Sequence, residues 1–88
     1  MPITDDQYIN VEVRGIIKTG VVAIGGETTG VTITANETTL ELEITDKKLK
    51  ALASKLNGQA VVAKGTLRLV PGVEIALRAI VQVTDLSQ

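Results

Sequence analysis

The chain has 88 residues, nine Lys or Arg against ten Asp or Glu, a formal net charge of −1, and neither Cys nor His. Those counts fit one small domain and exclude disulfide stapling, thiol catalysis, Cys-ligated zinc and any imidazole base or metal ligand. The apolar fraction is 44%, yet there is one Tyr and no Phe or Trp, so a core must come from interdigitated Val, Ile, Leu and Ala.

From Tyr8 onward Ile9, Val11 and Val13 alternate with Asn10, Glu12 and Arg14, the period-two pattern of a half-buried strand. The run continues through Gly15 and Gly20 toward Val22. Glycine inside a strand marks a bulge or bend, and the apolar pair Ile16–Ile17 predicts that one strand passes from one sheet to another. Val31, Ile33 and Ala35 then alternate with Thr32 and Thr34, followed by Leu40, Leu42 and Ile44 alternating with Glu41 and Glu43. The switch from odd to even numbers demands an even loop. A four-residue loop over Asn36–Thr39 would set Ala35 opposite Leu40 and Ile33 opposite Leu42.

A short helix follows over Asp46–Leu56, capped by Thr45 or Asp46 and ended by Asn57-Gly58. Leu49, Leu52, Ala53 and Leu56 form its apolar stripe, and Lys47, Lys48, Lys50 and Lys55 its solvated face. Two strands close the chain, with inward rows Val61, Ala63, Gly65, Leu67, Leu69 and Val73, Ile75, Leu77, Ala79, Val81, Val83. Both rows are odd-numbered, so a three-residue turn Val70-Pro71-Gly72 would pair Leu69 with Val73, Arg68 with Glu74 and Val62 with Ile80.

The element order is a long bent strand, a hairpin, a helix and a second hairpin. With Gly15 and Gly20 in the first strand, the helix Asp46–Leu56 in the third-to-fourth slot, and QAVVAKGTLRLV centred on Gly65, it resembles the OB-fold. The resemblance is architectural, spans residues 8–86, and implies an all-β chain with one short helix. Its strands would form a five-stranded Greek-key barrel in the order β-β-β-α-β-β. The rival arrangement is an open antiparallel α+β sheet with the helix across one face. One domain over 1–88 is expected, with 1–7 as a disordered tail.

Chemistry is sparse. The stretch Ile24–Val31, IGGETTGV, has a glycine-to-glycine spacing like that of a phosphate loop. Val31 stands where a lysine is needed, a strand pattern follows instead of a helix, and Glu27 would repel phosphate. It reads as a connection between strands one and two. In OB domains that loop flanks the usual ligand face, so by resemblance Gly25, Gly26, Glu27 and Gly30 are candidate contact residues. Ser54, Ser87 and the strand threonines have no histidine to activate them, and Glu41 and Glu43 read as solvent-facing carboxylates on strand three. No enzyme activity, metal or cofactor is expected.

Two outward sets remain. Ile16, Val22, Ile24, Val62 and Ile80 share outward parity, and in the register above Val62 would meet Ile80 in a contiguous apolar patch, a candidate interface. Arg14, Lys18, Lys64, Arg68 and Arg78 form a positive outer face. It is a candidate for weak, sequence-tolerant contact with single-stranded nucleic acid, although strands two and three carry no aromatic residue for stacking. A positive face on one side and a Thr/Glu face on the other would also pair head to tail. The chain therefore reads as a binding or assembly module that self-associates or meets a protein partner. No apolar run reaches the roughly 18 residues of a membrane span, and MPITDDQYINVEV lacks the flank and apolar stretch of a signal peptide. A cytoplasmic location is expected.

Overall fold

The computed structural model describes residues 8–22, 28–71 and 77–88. They form β1 (Ile9–Thr19), β2 (Val31–Ala35), β3 (Thr38–Glu43), α1 (Lys47–Lys55), β4 (Ala60–Pro71) and β5 (Leu77–Ser87). The strands close into a barrel in the order β1-β2-β3-β5-β4. Closure overturns the open-sheet alternative and matches the OB-like order expected. The predicted tail, residues 1–7, lies outside the described residues.

β1 changes partners at Gly15 as expected. It ends at Thr19, so Gly20 and Val22 lie beyond the strand that the sequence pattern extended through them. Its first part pairs with β4 from Ile9↔Leu67 to Ile16↔Ala60, and its last part pairs with β2 from Ile16↔Thr34 to Thr19↔Val31. Gly15 stands where the strand changes partners. A Cβ there would collide with the Thr34 carbonyl oxygen and lie 3.2 Å from the Ala35 Cβ, so only glycine admits that crossing.

The β2–β3 hairpin keeps the predicted parity but not the predicted register. Ala35 pairs with Thr38 and Ile33 with Leu40, leaving a two-residue turn at Asn36-Glu37 in place of four residues. Both turn residues have positive φ, 52° and 70°. That type I′ geometry matches the right-handed twist of the flanking strands better than a wider loop does.

α1 starts where expected. The Asp46 carboxylate accepts hydrogen bonds from the Lys48 and Leu49 amides at 2.7 and 3.2 Å, so Asp46 and not Thr45 is the cap. Beyond Leu56, Gly58 takes φ 84° and donates its N–H to the Ile17 carbonyl at 2.7 Å, tying the helix exit to β1. Ala53 and Leu56 join Ile17, Ile33, Leu42, Ile44, Val61, Ala63, Val81, Val83 and Leu86 in one buried cluster, with Leu49 and Leu52 packed against it.

The β4–β5 register differs most. Leu69 pairs with Ala79, Arg68 with Ile80 and Val62 with Ser87, and the ladder runs out at Pro71↔Leu77. Val73 and Glu74, the expected partners of Leu69 and Arg68, lie outside the described residues, as does the expected turn residue Gly72. Moving the ladder six residues along β5 preserves every inward parity, so alternation alone does not choose between the two registers. A register shift between Lys64 and Gly65 then inserts an extra β5 residue at Thr84, and Leu86 turns inward where plain alternation would have put Asp85. Gly65 sits at this bulge, where a Cβ would overlap the Gln82 carbonyl oxygen and approach its carbon to 2.7 Å.

Candidate functional site

The β3–β5 pairing is parallel, Glu41↔Ile80 through Glu43↔Gln82. It sets the outward carboxylates of β3 beside the outward cations of β5 and β4. The expected separation of a positive face from a Thr/Glu face is therefore corrected: Glu41, Glu43, Arg68 and Arg78 occupy one surface.

Arg78 holds Glu41 bidentately, Nε to Oε2 at 2.8 Å and Nη2 to Oε1 at 2.7 Å, with both side chains less than a fifth exposed. The Thr29 amide adds a hydrogen bond to Glu41 Oε1 at 3.0 Å. The Arg78 hydrogen bonds are the main reason that the Glu41 carboxyl lies below its ordinary pKa. Thr29 and the Arg78 charge act in the same direction, and burial opposes them.

Arg68 is held differently. Its Nη2 donates to both Glu43 oxygens at 3.3 Å, while its Nε is buried without a hydrogen-bond partner. Glu43 also accepts from Gln82 Nε2 at 2.9 Å. Between these ion pairs Ile80 has Glu41 on one side and Arg68 on the other, and is only 4% exposed although it points away from the barrel interior.

A groove of about 680 Å³ opens over this surface. Its floor comes from Ile80, Val70, Ile44 and Val31. Its walls come from Thr19, Gly20, Thr28 and Thr29 at the β1–β2 connection and from Lys50, Ala53 and Ser54 on α1. Among the described residues its charged groups are Glu43, Arg68, Arg78 and Lys50. Of the glycine-rich connection, the described residues Thr28 and Thr29 line this site. Gly25, Gly26 and Glu27 lie outside the described residues. Gly30 has φ 86°, accepts from the Val21 amide at 2.9 Å and donates its own amide to Thr28 Oγ1 at 3.0 Å. The Thr29 and Gly30 amides thus point at the chain's own oxygens, which leaves neither free to cradle a phosphate.

The five expected cations do not form one patch. Lys64 meets Glu12 at 3.8 Å on exposed strand surface, and Arg68 and Arg78 are paired as above. Arg14 lies opposite Val62 and Lys18 opposite Thr32, both exposed and without an ion pair among the described residues.

The expected apolar patch is dispersed as well. Val62 is 8% and Ile80 4% exposed, and they face Ser87 and Arg68 in the ladder, not each other. Ile16 and Val22 are exposed, and Ile24 lies outside the described residues.

A different apolar row takes its place. β4 and β5 extend as a two-stranded ribbon past Ile9↔Leu67 and past Glu41↔Ile80, the last described pairs with β1 and β3 at that end. Leu69 and Leu77 have core parity, as does Ile9 on β1. Among the described residues no strand covers the ribbon there, and the three remain 56–57% exposed. The register makes Ile9 and Leu77 the two diagonal neighbours of Leu69 on one face. Alternation marked these residues as inward, and nothing local says that the flanking strands end before them.

Comparison with protein-family models, with curated proteins and with solved structures finds no match for this chain.

Proposed function

We propose that the chain is a non-catalytic binding and assembly module that associates with a second copy of itself through the overhanging face of the β4–β5 ribbon. The observation that carries this reading is the Ile9–Leu69–Leu77 row, core-facing by parity and more than half exposed. Tyr8, 64% exposed, adjoins it in sequence. Contiguous aliphatic surface of this kind is the mark of an interface, unlike single exposed side chains.

A second copy suits the geometry. The ribbon's outer backbone edges lack described neighbours, and a two-fold axis perpendicular to an edge strand sets that strand antiparallel to its own copy, with matching donors and acceptors. A net charge of −1 puts little repulsion between copies.

The magnitude is modest. Burying the exposed halves of four large apolar side chains contributes about 1 kcal/mol each, and association costs offset much of that. The dimer is accordingly weak, with a dissociation constant from micromolar to millimolar.

Light scattering and sedimentation velocity over a wide concentration range test the reading. The mass rises toward twice the monomer for the natural chain and stays at the monomer for Leu69→Ser and Leu77→Ser. Ile16→Ser, away from the ribbon, associates like the natural chain. A monomer at every concentration, or association indifferent to Leu69 and Leu77, rejects it.

A further inference from the structure

The chain has three asparagines, Asn10, Asn36 and Asn57, and only Asn57 is followed by glycine. That pair has a chemistry of its own. The backbone nitrogen after an asparagine can close on the side-chain amide, and a glycine nitrogen does so with no Cβ in the way. Asn57 and Gly58 are both exposed, and a Cβ on Gly58 would meet nothing within 4 Å, so water reaches the pair.

The fold nevertheless occupies both reacting groups. The Gly58 N–H, whose nitrogen is the nucleophile, donates to the Ile17 carbonyl at 2.7 Å. Asn57 Oδ1, on the carbon to be attacked, accepts from the Thr19 amide at 2.8 Å. The Ile17 N–H donates in turn to the Gln59 carbonyl at 3.1 Å. These bonds carry the β1–β4 ladder past its last strand pair, Ile16↔Ala60, with a side-chain carbonyl standing in for a backbone one at the final rung.

Two consequences oppose ring closure. A hydrogen bond to the protonated form disfavours loss of the proton, so the Ile17 carbonyl keeps the Gly58 nitrogen a poor nucleophile. The same bond fixes the Gly58 peptide plane toward β1, while Thr19 holds the Asn57 amide in place.

We infer that Asn57 is a deamidation site gated by the docking of the helix exit on β1, reacting only when Gly58 and Asn57 leave Ile17 and Thr19. In that opened state the Gly58 nitrogen gives up its proton to hydroxide and bonds to Asn57 Cγ. The Cγ–Nδ2 bond breaks, and the leaving nitrogen takes a proton from water and departs as ammonia. One water then opens the succinimide: attack at Cγ leaves aspartate, and attack at the main-chain carbonyl leaves isoaspartate. Nothing is oxidised or reduced.

The two products differ in what they do to the fold. Aspartate keeps an acceptor for the Thr19 amide. Isoaspartate routes the chain through the side-chain carbon and adds one main-chain atom between Leu56, which is anchored in the core, and Gly58. Gly58 and Gln59 then fall out of step with Ile17, and α1 loses its tie to β1. The site uses none of Ile9, Leu69 or Leu77, so its test is independent of self-association.

The test is peptide-mapping mass spectrometry of the full chain aged in mildly alkaline buffer, folded and in denaturing urea. Hydrogen exchange at the Gly58 amide is measured in parallel. In urea Asn57 should convert fastest of the three asparagines, and Gly58→Ala should slow it severalfold. Folding should slow it by about tenfold or more, and by no less than the exchange protection of the Gly58 N–H, because both reactions need the same opening. The isolated isoaspartate chain should unfold at a lower urea midpoint than Asn57→Asp. Equal rates in the folded and unfolded chain, conversion of Asn57 no faster than that of Asn36 in urea, or an isoaspartate chain no less stable than Asn57→Asp overturns the inference.

Discussion

Arg78 and Glu41 join β5 to β3 through two parallel charge-assisted hydrogen bonds of 2.8 and 2.7 Å across the parallel seam that closes the barrel. That seam is short, Glu41–Glu43 beside Ile80–Gln82, so this pair supports closure where the backbone ladder is thinnest. Glu41→Gln removes the carboxylate charge, and with it the charge assistance of both hydrogen bonds from Arg78. The expected cost is about 2 kcal/mol, read from the shift in urea midpoint at neutral pH. A midpoint equal to that of the natural chain would show that the pair does not staple the seam.

Acid should weaken the same contact. Folding holds the Glu41 carboxyl below its unfolded value of 4.5, chiefly through the Arg78 hydrogen bonds. A depressed carboxylate contributes stability that is complete above the unfolded pKa and is lost as pH falls through the lower folded pKa. Urea midpoints measured from about pH 6 down to about pH 3 should therefore fall in the natural chain and fall less in Glu41→Gln. Parallel curves would place the acid sensitivity elsewhere.

Gly65 tests the close approach at the β5 bulge. Its missing Cβ is the space that the Gln82 carbonyl occupies, and backbone cannot swing aside as a flexible side chain does. Gly65→Ala is expected to cost about 3 kcal/mol, seen as a lowered thermal midpoint. Gly58→Ala, whose Cβ would meet nothing within 4 Å but whose φ is 84°, should cost less, about 1 kcal/mol from backbone strain alone.

The β2–β3 turn offers a gain. Glu37 holds φ 70°, a conformation that L side chains resist and glycine accepts. Glu37→Gly creates Asn-Gly, the preferred type I′ pair, and should raise stability by about 0.5–1 kcal/mol. A lower urea midpoint would mean that the strain at Glu37 is smaller than the entropy glycine loses on folding.

Much of the architecture was legible in the order of residues. Gly15 between two apolar strand patterns marked the bend of β1, and Asp46 with the Leu49–Leu56 stripe marked α1 and its cap. Asn57-Gly58 marked the helix exit. These are local effects: a dihedral only glycine tolerates, a carboxylate within reach of two orphan amides, and a stripe with the helical period. The candidate site was less legible. Arg68 and Arg78 were visible as outward cations and Glu41 and Glu43 as outward carboxylates. Their meeting depends on β3 lying beside β5, and no pattern within either strand encodes that neighbour.

What the sequence determined by itself was which side chains share a face, because side-chain direction along a strand reverses with every residue. What only the tertiary structure decided was the register. Sliding a ladder by two or six residues leaves every face unchanged, so Ile33 could meet Leu40 or Leu42, and Leu69 could meet Val73 or Ala79, with identical alternation. Barrel closure, turn twist and the fit of Gly65 against Gln82 made that choice. With it they decided that Ile80 is buried beneath ion pairs while Leu69 and Leu77 stand in the open.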